Sequence, residues 1–388
     1  MVVRPLMAWP RTSAAAFFAL MILSVQAVAP AQSQTTAPSQ KPERQGPVTA
    51  ASVVWVGHSL IEAKVETPRG TVDLISMVGN FARHKGLAYN QLGHTLWGSP
   101  LSALWRGAPH SYPRDAQAMV ERRKSLANKA QDFDTMVLTE VVPLTAKLMQ
   151  LEFSSYYLRR FYCTLKQANP AARVYLYETW AHLQANGPKA DAAELNGFDW
   201  FAQMKAQRSI WRRLVDEAQR PSVAQPGWLS RLGLSWHTDA GCTATDPIYV
   251  VPVGDAFVAI AHRLQQPKPG DAFALPSGDT LAVTDFFANP YLNWPTPWPA
   301  SDGNPAAVLA QLKLRDSAKP HDDIHLSSVG IYVAALVHFS TLYRTSPVGL
   351  PMPPEIGDQV GQTLQRIIWK TVRDEPRSGV SVNAIDNN

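Results

Sequence analysis

The chain is poor in charge. Asp, Glu, Lys and Arg make up 17% of its 388 residues, against 46% hydrophobic residues. That balance excludes a disordered polyelectrolyte and leaves ample material for a large core. The formal net charge is only +5, and Arg4 and Arg11 supply two of those charges, leaving +3 beyond residue 31. With no Lys/Arg stripe interleaved with aromatics, the sequence offers no nucleic-acid footprint. After the N-terminal segment no apolar run approaches the ~18 residues a membrane helix needs, so no stable membrane insertion is expected. Internal repeats are absent. So are His/Cys sets at metal-ligand spacing, and a cluster of His321, Asp322 and His325 finds no further ligand elsewhere. Cysteine is limited to Cys163 and Cys242. In an oxidising compartment they could pair, or they could stay as two separate buried thiols.

What is present begins with a basic stretch, Arg4 to Arg11, followed by the apolar Ala14–Val25 and by Ala29-Pro30-Ala31. This reads as a cleavable signal peptide over 1–31, and implies a periplasmic or secreted protein. Residues 32–48, rich in Gln, Ser, Thr and Pro, read as a linker. One domain is expected over 49–375, with insertions at 179–247 and 263–320, and a flexible tail over 376–388.

Five short runs carry strand signals: Ser52–Val56, Ala88–Leu92, Thr135–Thr139, Arg173–Tyr177 and Ile248–Val253. Most are continuous apolar runs rather than alternating ones, as strands buried on both faces should be. Helical periodicity falls between and after them, at Val72–Lys85, Ala116–Ala127, Phe153–Ala168, Trp200–Gln219, Ser328–Tyr343 and Asp358–Val372. Alternating strand and helix predicts a three-layer α/β/α fold with a parallel sheet of about five strands, in a flavodoxin-like arrangement.

Two segments carry chemistry. Val56-Gly57-His58-Ser59-Leu60 sets a serine at the carboxyl end of the first strand, where open α/β sheets bind ligands. Helix capping by Ser59 is the alternative. Far downstream, Asp322-Asp323-Ile324-His325-Leu326-Ser327 sets a histidine shortly after acids, on what reads as a loop before a helix capped by Ser327. A neutral imidazole can take the serine proton, and Asp322, three residues upstream, can fold back to fix its tautomer. Asp323 is the competing acid.

Gly57-His58-Ser59-Leu60 and Asp322-Asp323-Ile324-His325 together resemble the first and last blocks of the SGNH/GDSL hydrolases, with His58 where that family has Asp. Gly93-His94-Thr95 is similar to the second block. The resemblance implies a serine ester hydrolase of that fold. Ser59 would be the nucleophile, His325 the base and Asp322 its orienting acid, with the Ser59 and Gly93 amides as oxyanion donors and no cofactor. The third block departs: Leu138-Thr139-Glu140-Val141 lacks its Asn, leaving the Thr139 hydroxyl as the candidate third donor. His58, His94, Glu140, Glu178 and Trp180 are candidates for the substrate pocket. Trp294 and Trp298, in a Pro-rich loop, suit stacking on sugar rings, which points to a small-molecule or glycan ester as substrate. An acyltransferase on the same triad and a non-catalytic carbohydrate-binding scaffold are the alternatives.

Overall fold

The structure, a computed structural model, describes residues 45–67, 70–107, 116–183, 200–226, 236–289 and 322–381. The expected signal segment 1–31, most of the linker, and Trp294, Trp298 and His321 lie outside the described residues.

Strands β1 (Ala50–Gly57), β4 (Ala88–Thr95), β5 (Thr135–Leu138), β6 (Arg173–Glu178) and β9 (Ile248–Pro252) form one sheet in the order β4-β1-β5-β6-β9. Every neighbouring pair is parallel. The order reverses between β1 and β5, and that switch point is where such sheets open a crevice.

Alternate side chains of the strands serve two cores. Val53, Trp55, Val137, Tyr175, Tyr177 and Val251 face one side. There they meet α2 (Leu74–His84), α8 (Val253–Gln265), α9 (Ser328–Tyr343) and α10 (Gly357–Asp374). Val54, Val56, Met136, Leu138, Val174 and Val250 face the other side. That layer holds α3 (Leu101–Arg106), α4 (Ala116–Lys129), α6 (Ser154–Ala168) and the far end of α7 (Trp200–Ala218). The three layers follow from strands with apolar residues on both faces. In α2, Leu74, Val78 and Phe81 are buried, one helical stripe, while Asp73 caps the helix by accepting from the Ser76 amide at 2.8 Å. Among the described residues no helix is long and apolar enough to cross a membrane.

Several expectations need correction. Residues 45–48 are built into the fold: Gln45 bridges to Val380, and the Val48 amide donates to the Tyr343 carbonyl. The stretch 376–381 is packed too. The Arg377 carbonyl accepts from Val250 at the sheet edge, and Ser378 and Val380 are fully buried. Composition marks them as linker and tail, but backbone hydrogen bonds order them: 376–381 against the edge of β9, and 45–48 against Tyr343 and Gly379. The expected start of helix α2 at Val72 instead belongs to a hairpin of β2 (Lys64–Thr67) and β3 (Gly70–Asp73). Val253, read as strand, opens helix α8 directly after Pro252, its N-cap.

Cys163 and Cys242, 79 positions apart in sequence, form a disulfide with Cα atoms 5.7 Å apart. It ties α6 to the segment that feeds β9. Because closing a loop of that length restricts the unfolded chain, reduction or a Cys163→Ser/Cys242→Ser double substitution should lower the unfolding free energy by about 2–4 kcal/mol. Urea denaturation with and without reductant measures this, and coincident midpoints would count against it.

Candidate active site

Chain direction explains how the site assembles. β1 ends at Gly57, and the next residues turn sharply into the short helix α1 (Ser59–Glu62). A Cβ on Gly57 would lie 2.6 Å from Cγ2 of Thr139 and 2.8 Å from Cδ1 of Ile61, so only glycine fits between the two neighbouring elements. His58, not Ser59, caps this turn. Its Nε2 donates to the Glu140 carbonyl at 2.8 Å, which leaves Nδ1 as the acceptor facing the Leu60 amide. Burial holds the His58 pKa down at about 4, against the Glu140 hydrogen bond, so the ring is neutral and can accept. A neutral imidazole thereby does what a capping carboxylate does elsewhere, which accounts for histidine at this position.

The second half of the site arrives on β11 (Asp322–Leu326), paired antiparallel with β10 (Phe287–Asn289). The sequence placed His325 on a loop. It lies instead on this two-stranded ribbon, whose pairing spans too many residues to be read locally. Ser327 then caps α9, accepting from the Gly330 amide at 3.2 Å.

The ribbon brings His325 Nε2 to 2.7 Å from the Ser59 hydroxyl, across 266 residues of chain. The other ring nitrogen, Nδ1, lies 2.9 and 3.0 Å from the two carboxylate oxygens of Asp322. That carboxylate also accepts from the His325 amide at 2.9 Å, so its position is set by backbone. Burial alone would raise the Asp322 pKa. The hydrogen bond from His325, the charge of that ring when protonated, and the His325 and Ile324 amides outweigh burial and hold it below the usual carboxylate range. A serine, an imidazole and an ionised acid therefore stand in line.

The remaining sequence candidates fall out differently. Gly93 lies within β4, in register with Trp55, two pairs before the sheet edge at Gly57 and Thr95. It is not in the turn beyond the strand. That turn is Leu96-Trp97-Gly98-Ser99, and Gly98 takes a left-handed conformation (φ 61°). Among the described residues, the amides of Ser59, Trp97 and Gly98 donate to no backbone carbonyl. Trp97, which the sequence alone does not single out, stacks on His325 with centroids 6.0 Å apart and is 49% exposed. Its signal is a tryptophan beside a glycine just past the second strand, obscured because the strand signal fades at Leu92.

Thr139 is not a free donor. It is fully buried and its hydroxyl donates to the Tyr177 carbonyl at 3.1 Å. Glu140 is a strut rather than a pocket residue: its carboxyl accepts from the Leu101 and Val141 amides at 3.1 and 2.8 Å, fixing the start of α3. His94 is 1% exposed, faces Phe161 in the core, and is held at a pKa of about 4 by burial. Glu178 is 2% exposed and ion-paired with Arg212 at 3.0 Å in a cluster that includes Asp255 and Glu375. Burial pushes its carboxyl up and Arg212 pulls it down. Trp180 is fully buried and supports the ribbon from beneath, its indole N–H donating to the Ile324 carbonyl at 3.0 Å.

Burial pushes the Glu140 pKa from 4.5 up to about 7, against the amide and hydroxyl donors that favour its charge. Between those values the folded protein binds more protons than the unfolded chain, so this residue's contribution falls as pH rises through that window. Glu140→Gln should therefore gain stability relative to the unsubstituted protein on going from pH 4.5 to pH 8, by about 3 kcal/mol at most. Urea unfolding of both proteins across this range gives the difference directly. A flat difference would contradict it.

Among the described residues no group of three or more His, Cys, Asp or Glu side chains is disposed to hold a metal ion. A cavity of about 1250 Å³, lined by Lys147, Tyr157, Arg213, Arg220 and His237 among others, contains none of Ser59, Asp322 or His325.

No protein-family model and no curated protein sequence matches the chain. Among solved structures it is similar to a DUF4886 family protein from Bacteroides uniformis, at 13% identity over 83% of this chain and 95% of that one, with a TM-score of 0.43. It is also similar to a candidate GDSL-like lipase from Parabacteroides merdae, at 12% identity over 57% of this chain and 85% of that one, with a TM-score of 0.30.

Proposed function

We propose that this protein is an exported serine ester hydrolase of the SGNH/GDSL type, acting on an acyl group carried by a small molecule or a glycan. The observation that carries the reading is the 2.7 Å contact between the Ser59 hydroxyl and His325 Nε2, with Asp322 behind the ring. Ser59 attacks the ester carbonyl as its proton passes to His325. The imidazolium is stabilised by Asp322 and returns the proton to the departing alkoxide; water then repeats the sequence on the acyl-enzyme. The oxyanion is met by the Ser59 amide and, in place of Gly93, by the turn amide of Gly98. Thr139 and Glu140, at the position of the third block, are both engaged elsewhere and supply no oxyanion donor. Export is supported by the signal-like segment 1–31 and by the Cys163–Cys242 disulfide, which suits an oxidising compartment.

The direct test is labelling with a fluorophosphonate probe followed by peptide mapping. Adduct on Ser59 is expected, lost on prior heat denaturation. Labelling elsewhere, or none, would rule out an activated Ser59.

A further inference from the structure

A second imidazole hangs from the same ribbon. His182 Nδ1 lies 2.6 Å from the Asp323 carboxylate, 141 residues away in sequence. Asp323 is thus not a competitor for His325. The adjacent acids of β11 hold one imidazole each. The Asp323 side chain is 3% exposed, and because an ionised carboxylate only accepts, the proton of this contact sits on Nδ1. That fixes the tautomer of a neutral His182 and leaves Nε2 as a lone-pair acceptor with no partner among the described residues.

Its placement is selective. Glu178, Thr179, Trp180, Ala181 and Leu183 are all 2% exposed or less, whereas the His182 side chain is 37% exposed. It follows the carboxyl end of β6, on the sheet edge where Ser59 follows β1. It is also tied to the five-residue strand that carries His325.

We propose that His182 is a substrate-positioning residue whose Nε2 accepts a hydrogen bond from a free hydroxyl on the alcohol half of the ester, so that the protein selects esters of sugars or other polyols. This rests on the hydrolase reading above and adds the substrate class to it. His325 moves the reaction's proton, and His182 reads the leaving group beside it.

The test compares p-nitrophenyl acetate, whose leaving group carries no hydroxyl, with a mono-O-acetylated methyl glucoside. His182→Asn retains an amide donor where Nδ1 stood, so Asp323 stays paired, and removes the acceptor at Nε2. KM for the acetylated glucoside should rise about five- to tenfold, the size of one lost hydrogen bond, with kcat little changed. Kinetics on the nitrophenyl ester and the thermal midpoint should stay as in the unsubstituted protein. His182→Gln, which returns an acceptor near the Nε2 position, should recover part of the KM. Equal effects on both esters, no effect on either, or failure of the unsubstituted protein to cleave the glucoside would overturn the proposal. Ser59→Ala run in parallel separates the two readings. If it leaves nitrophenyl acetate turnover intact the hydrolase reading fails, and if it abolishes turnover while His182→Asn is silent only this inference fails.

Discussion

Replacing Ser59 by alanine is expected to lower kcat/KM for p-nitrophenyl acetate by about 10⁴-fold or more, with the fold unchanged. The side chain is 7% exposed and its hydroxyl has one partner of consequence, His325, so removing it leaves a small void and no orphaned carboxylate. The amides around the turn stay in place because His58 caps them through its own ring. Residual turnover over water should come from those amides alone. Circular dichroism and a thermal midpoint close to that of the unsubstituted protein establish that the loss is chemical. If the variant keeps more than a tenth of the activity, another nucleophile does the work.

Asp322→Asn should come close to that effect, lowering kcat by about 10³–10⁴-fold. The asparagine carbonyl can still accept from the His325 amide, so the turn in β11 survives. Its amide group, however, presents N–H where the imidazole also has N–H. The ring then turns over to the other tautomer, with a proton on Nε2, and can no longer take one from Ser59. Asp323 cannot stand in, because it already holds His182. The unsubstituted Asp322, held below the usual carboxylate range, keeps its charge throughout the neutral range. Steady-state kinetics at pH 7 to 9 measure the loss. A decrease of less than tenfold would mean that backbone contacts alone orient His325.

Much of this was readable in the sequence, for identifiable reasons. Val53-Val54-Trp55-Val56 and Ile248–Val251 are apolar without alternation, and strands covered on both faces have that composition. The spacing of Asp322 and His325 was legible because a single turn brings an acid to the ring three residues on. The end of β4 was not. Gln91, Gly93 and His94 are weak strand formers, and it is pairing with β1 that carries the strand on to Thr95. That shift moved the turn from Gly93 to Gly98 and hid Trp97. The roles of Thr139, Glu140 and Glu178 are hidden in the sequence for a common reason. A polar residue at a strand end looks available in one dimension, and only packing shows that its partners are Tyr177, Leu101 and Arg212. The contact of His182 with Asp323 leaves no local trace at all.

Helix α9 is buried along nearly its whole length and is wedged among α2, α8, α10 and the sheet. It follows the base-bearing ribbon directly, so the two dock together. During synthesis β1, which leads into Ser59, emerges hundreds of residues earlier, before α8, α9 and α10 are made. A nascent or truncated chain lacking residues beyond 326 would expose the greasy flank of β1 to chaperones and proteases. One ending before Asp322 would also carry a serine without its base and acid, so hydrolytic competence comes only when the last third of the fold is in place.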